Sequence, residues 1–191
     1  MRSTGTSIST RSKSNRGRDL KLWFVWGETP LRTILEWCWR ERAVDRLLLS
    51  ARLSGRRKSL EGVKPEVRDV VHSLFGSNLL ETRLTRRWPG TELTDSKAAV
   101  FRIAFEPRLI DPMVQAGELL GHWQHSHQPR LPEDPCLYRS SDEWPLFFSH
   151  THEDSGWVIA DKRPPFCVRK PLMVRPDHLL IPSASEEFVG D

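Results

Sequence analysis

The residues best suited by type and spacing to do chemistry lie in the run His150-Thr151-His152-Glu153-Asp154, which leaves the apolar stretch Leu146-Phe147-Phe148. On a continuing strand, side chains two residues apart project to the same face, so the two imidazoles would lie side by side. Neutral imidazole and carboxylate are ligands that zinc takes, at about 2.0–2.2 Å. On that reading His150, His152 and Asp154 are metal ligands, and Glu153 carries protons in a metal-dependent hydrolase. His125 is the candidate for a further ligand. It belongs to the group His122, His125 and His127, and His122 and His125 stand at i, i+3 on a helix end. The competing reading has more support: these histidines are a polar turn and a solvated helix exit, with no metal or cofactor bound. Cysteine spacing offers no C-x-x-C to strengthen the zinc case.

The run His150-x-His152-x-Asp154 resembles the H-x-H-x-D-H signature of metallo-β-lactamase-type hydrolases, in which a strand leads into the metal-binding histidines. The resemblance implies a metal at His150, His152 and Asp154. It covers six residues, and Ser155 stands where that family has its last histidine. The family places the motif in the first half of a larger chain, whereas here it begins at residue 150 of 191. Hydrolysis is therefore kept as the alternative. A wider pattern, Trp88-Pro89-Gly90-Thr91, then PEDPCLY at 132–138, then SHTHEDSGW at 149–157, resembles small bacterial α+β proteins with no assigned activity.

Other chemistries find little footing. The chain has no G-x-S-x-G elbow and no glycine-rich phosphate loop. Three acidic pairs, Glu133-Asp134, Asp142-Glu143 and Glu153-Asp154, fall in predicted turns along the ends of one small sheet, beside Trp144 and Trp157. An acidic edge that also carries tryptophan suits a basic protein partner, because complementary charge steers association and tryptophan anchors it. The partner-binding set is Glu133, Asp134, Asp142, Glu143, Trp144 and Glu153. The leading expectation is a non-enzymatic protein-interaction domain, regulatory or immunity-like, acting on an unidentified protein partner. A third reading, nucleic-acid contact, rests on charge. Residues 1–70 carry about +8 and residues 71–191 about −4. No interleaving of aromatic and basic residues accompanies that charge, which argues against nucleic acid.

The elements that must position these residues follow from periodicity. Residues 1–21 are basic and nearly free of apolar side chains, and read as a disordered tail. Residues 22–182 read as a single α+β domain, and residues 183–191 as a frayed end. Leu22 to Trp26 is one strand or a plug. The spacing of Ile34, Trp37, Cys38, Val44, Leu48 and Ala51 predicts one helix over Leu31–Leu53. Further helices are predicted over Pro65–Leu74 and Pro112–Trp123. Alternation predicts strands at Leu80–Thr85 and around Phe101–Phe105. Three short strands then form a meander at Cys136–Arg139, Leu146–Ser149 and Trp157–Ala160. The expected fold is a mainly antiparallel sheet of about five strands packed against two or three helices. Three well-separated cysteines, Cys38, Cys136 and Cys167, fit reduced thiols, and no run reaches the ~18 apolar residues of a membrane span. Together these features predict a cytoplasmic protein without a membrane anchor.

Overall fold

The computed structural model describes residues 19–54, 59–124, 128, 130–142 and 144–175. In chain order the elements are β1 (Leu20–Trp26), α1 (Leu31–Arg42), β2 (Arg46–Arg52), α2 (Pro65–Phe75), β3 (Leu79–Thr85), β4 (Arg87–Trp88) and β5 (Thr91–Glu92). They continue with β6 (Ala98–Ala104), α3 (Ile110–Ala116), β7 (Glu133–Tyr138), β8 (Phe147–His150), β9 (Ser155–Ile159) and β10 (Leu172–Val174). Eight strands form one antiparallel sheet in the order β10-β1-β9-β8-β7-β2-β6-β3, and β4 and β5 pair as a separate hairpin. The α+β class stands, but the expectation of about five strands is corrected to eight in the main sheet. The three additions are β1, β2 and β10.

The largest correction concerns residues 43–53. Instead of one helix over Leu31–Leu53, α1 stops at Arg42. Ala43 turns left-handed at φ 50, and its N–H donates to the Trp39 carbonyl at 3.0 Å. The chain then enters β2, which lies between β7 and β6 with Leu47 to Ala51 all buried. A strand buried on both faces needs a continuous apolar run and not alternation, and Leu47-Leu48-Leu49 supplies it. That run also satisfies a helical period, so local pattern cannot tell the two apart. The predicted Pro112–Trp123 helix breaks as well. α3 ends at Ala116, Gly117 is extended, and Leu120–His122 forms a single 3-10 turn. Trp123 is fully buried there, with its indole N–H donating to the Gly117 carbonyl at 3.0 Å. At the start of the chain, β1 takes in Leu20 and Lys21, which the sequence reading assigned to the tail.

Both faces of the sheet are covered, unequally. Trp23, Val25, Leu47, Leu49, Phe101, Ile103, Leu137, Phe147 and Val158 meet the buried stripes of the helices, including Ile34 and Leu35 of α1 and Val67, Val71 and Phe75 of α2. Full burial of each such side chain stabilises the fold by about 1.5–3 kcal/mol. On the opposite face a smaller cluster of Leu22, Leu48, Val100, Cys136 and Phe148 lies beneath Trp88 of the β4–β5 hairpin. None of the helices among the described residues is long and apolar enough to cross a membrane.

All three cysteines are buried, and none is in a disulfide. Burial pushes the Cys38 thiol up from its ordinary 9.0, and the Cys167 thiol up to about 12. Raised folded-state values mean that the unfolded thiols ionise first as pH rises. Stability is therefore full below pH 9 and falls as pH climbs from there toward 12. Thiol labelling of the native protein at pH 8 should be slow at all three positions and complete in denaturant. A Cys38→Ala/Cys167→Ala variant should lose stability less steeply above pH 9 than the parent, as read from urea midpoints. Rapid native labelling, or identical alkaline slopes, would contradict this account.

Candidate functional site

The turn joining β8 to β9 carries the residues singled out for chemistry, and its local shape decides what they meet. Thr151–Glu153 closes into a 3-10 turn and does not extend the strand. Asp154 ends the turn in the left-handed region at φ 52. The His150 and His152 rings lie 6.2 Å apart, tilted by 30°. Glu153 reaches toward both, with Oε2 3.6 Å from His150 Nδ1 and Oε1 3.8 Å from His152 Nε2. His150 is 18% exposed along its side chain. Its Nε2 has no hydrogen-bond partner among the described residues and abuts Gly90, where a Cβ would collide with the ring. Gly90 sits at φ +80, so both its backbone and its missing side chain make room for the imidazole.

Asp154 turns elsewhere. Its carboxylate occupies a slot over the backbones of Gly27 and Gly121, where a Cβ on either glycine would collide with Oδ1. The slot is pinned by the Gly27 N–H to the Asp154 carbonyl at 2.9 Å and the Gly121 N–H to the Gly27 carbonyl at 2.8 Å. Among the described residues no group of three or more His, Cys, Asp and Glu is placed to hold a metal ion. His125, His127, Glu143 and His178 lie outside the described residues.

The acidic residues expected to meet a partner are divided by the fold. Glu133 and Asp134 are 5% and 3% exposed, at the start of β7. Glu133 Oε2 lies 3.4 Å from Arg52 Nε. Asp134, at φ 53, accepts from the Thr151 N–H at 2.9 Å, the Thr151 hydroxyl at 3.0 Å and the Trp88 indole N–H at 3.1 Å. One carboxylate thus ties β7 to the β8–β9 turn and to the β4–β5 hairpin.

Asp142 accepts from Arg139 Nε at 2.7 Å, and that bond raises the guanidinium pKa above its ordinary value. Trp144 is half-buried against the smaller cluster. Successive turns of a meander alternate ends. Asp142 and Trp144 therefore lie at one end of β8, and Glu133, Asp134 and Glu153 at the other, about 10 Å apart along four residues of strand.

A surface feature absent from the sequence-derived set stands beside Glu153. Trp26, at the end of β1, pairs in register with Ser155 and is 43% exposed. Phe24 packs edge-on to Trp26 at 4.7 Å and to Trp157 at 5.1 Å. The Arg169 guanidinium lies 4.4 Å from the Trp26 ring and 5.1 Å from the Phe24 ring. Leu172 and Met173 of the edge strand β10 are also exposed, paired with Leu22 and Lys21 at the other end of β1. The one sequence cue was the run Leu22-Trp23-Phe24-Val25-Trp26, in which both faces are bulky. Trp23 and Val25 satisfy the core, which leaves Phe24 and Trp26 without a place in it. The chain matches no family model, no curated protein and no solved structure.

Proposed function

We propose that this chain is a non-enzymatic protein-interaction domain that docks a basic segment of a partner protein at the Trp26 end of the sheet. The observation that carries the reading is the exposed indole of Trp26, which holds Arg169 on its ring and whose surroundings in the β1–β9 register include solvent-facing Glu28, Glu153 and Asp154. Large aromatics half in water and ringed by charge are the usual anchors of protein interfaces, and the carboxylates favour a cationic partner. Glu153 thereby keeps the role expected of it, with Trp26 as its neighbouring anchor. The buried Asp134 supports the turn that presents it, whereas Glu133 pairs with Arg52.

A photo-crosslinking residue in place of Trp26, compared with the same residue in place of exposed Glu66 on α2, tests the proposal in extracts of the native host. A discrete adduct should form at position 26 and not at 66. It should weaken about tenfold on Glu28→Lys/Glu153→Lys, with the melting temperature unchanged. Equal labelling at both positions, or indifference to the charge reversal, would refute the interface.

A further inference from the structure

We infer that the outer edge of β3 pairs with β3 of a second copy of this chain, antiparallel about a two-fold axis at Thr82, to form a closed dimer. The inference is independent of the proposed interface, which involves β1 toward the opposite edge of the sheet. The two edges differ. β10 is three residues long and stands between Pro171 and Pro176, neither of which can donate to a ladder. β3 runs seven residues, Leu79–Thr85, without proline, and pairs only with β6. Its one irregularity is a register shift between Leu79 and Glu81, which leaves Glu81 to Thr85 regular. An uncovered edge of that length is a template for another strand.

Ladder bonds in an antiparallel pair fall on alternate residues. The Ala104 N–H donates to the Asn78 carbonyl at 2.8 Å, and the Phe105 N–H donates the other way, to Asp45 beside β2, at 2.9 Å. Arg102, Val100 and Ala98 therefore bond toward β3, where their partners are Glu81, Arg83 and Thr85. The backbone groups of Thr82 and Leu84 point outward, and among the described residues they meet no other backbone. A two-fold axis makes one residue face itself. At Glu81 or Arg83 it would set like charges opposite each other, which is unfavourable. At Leu84 it would call on Arg87, which already meets Glu92 in the neighbouring hairpin at 2.6 Å. At Thr82 it sets Glu81 opposite the partner's Arg83 twice over, and Leu80 beside the partner's Leu84. The run Leu80-Glu81-Thr82-Arg83-Leu84 is thus complementary to itself when reversed. Glu81 and Arg83 also fall at non-hydrogen-bonded positions of the new ladder, where facing side chains lie closest. Glu81 touches Arg102 of its own chain at 3.5 Å and is 38% exposed. A carboxylate accepts from two guanidinium groups and an arginine carries five donors, so the new pairs add to the contacts kept within each chain.

Sedimentation equilibrium of the full chain tests this. A ladder this short gives a weak dimer, half-formed at about 0.1 mM, so the average mass should rise toward two chains as concentration approaches about 1 mM. Glu81→Arg and Arg83→Glu each place like charges in both symmetry-related pairs and should weaken association at least about tenfold. The double variant Glu81→Arg/Arg83→Glu exchanges the signs and should restore it to within about threefold of the parent. Thr82→Pro removes an outward N–H, a change that an edge strand accepts, and should leave single chains with unchanged circular dichroism. Should Thr82→Pro fail to fold, the charge exchange decides the matter on its own. A single-chain mass at every concentration, a double variant as weak as the single ones, or a folded Thr82→Pro that still dimerises would each overturn the assignment.

Discussion

Asp134→Ala should lower the free energy of unfolding by about 3–5 kcal/mol, the largest loss expected from any single polar substitution in this fold. The carboxylate accepts three hydrogen bonds in a nearly dry setting: two from Thr151 and one from the Trp88 indole. Alanine leaves those donors unsatisfied at about 1–3 kcal/mol each, less whatever an entering water restores. It must also hold the left-handed backbone of φ 53, which alanine tolerates less readily than aspartate, whose short polar side chain bonds locally. Urea unfolding should show a lower midpoint with an unchanged slope. Asp134→Asn retains an acceptor for Thr151 but turns an amide N–H toward the indole N–H, and should lose less. A double-mutant cycle with Thr151→Val separates that hydroxyl bond from the rest, because residues in one hydrogen-bond network do not add. A loss below about 1 kcal/mol for Asp134→Ala would mean that water already serves these donors.

The second large effect is expected at Trp123. It is the largest fully buried side chain, and its indole N–H satisfies the Gly117 carbonyl where α3 gives way to the 3-10 turn. Trp123→Ala removes a whole ring from the core and orphans that carbonyl, at about 3–5 kcal/mol. For a chain of this size that corresponds to a fall in melting temperature of roughly 6–20 °C. Trp123→Phe keeps much of the packing but not the donor, and should fall between alanine and the parent. If phenylalanine matched the parent, the hydrogen bond would add nothing beyond packing. The site connects with the turn at Asp154, because Gly121 lies two residues before Trp123 and supports the Asp154 carboxylate. Thermal scans of Trp123→Ala should therefore also show earlier loss of near-ultraviolet signal from the tryptophans around that turn.

Where local pattern and final environment agree, the sequence was readable. α2 begins at Pro65, a residue that fits the first helical position, and buries one apolar stripe. β6 alternates because its two faces differ, and the three-strand meander is punctuated by polar turns that must face water. β2 was unreadable for a definite reason. A leucine-rich run takes either form, and only pairing with β6 and β7, whose partners lie about 50 and 90 residues away in sequence, made it a strand. The break in α3 has a similar origin. Gly117 has no Cβ to collide with the Trp123 indole, and it is that buried ring, six residues later, that fixes the break.

The site shows the same division. The amino-acid sequence by itself determined which residues are available: two histidines and a carboxylate pair in one tight turn, a tryptophan-rich strand, and enough apolar content for a core on a sheet. Tertiary structure alone decided how each is used. Burial turned Asp134 into a three-armed tie, and the left-handed turn sent Asp154 toward two glycines, away from the imidazoles. The filled core left Trp26 facing solvent, and the meander's alternation parted acids that are close in sequence. The physical reason is that charge and hydrogen-bonding capacity belong to a residue, whereas desolvation and direction belong to its surroundings. Those surroundings are assembled from segments that the local pattern does not connect.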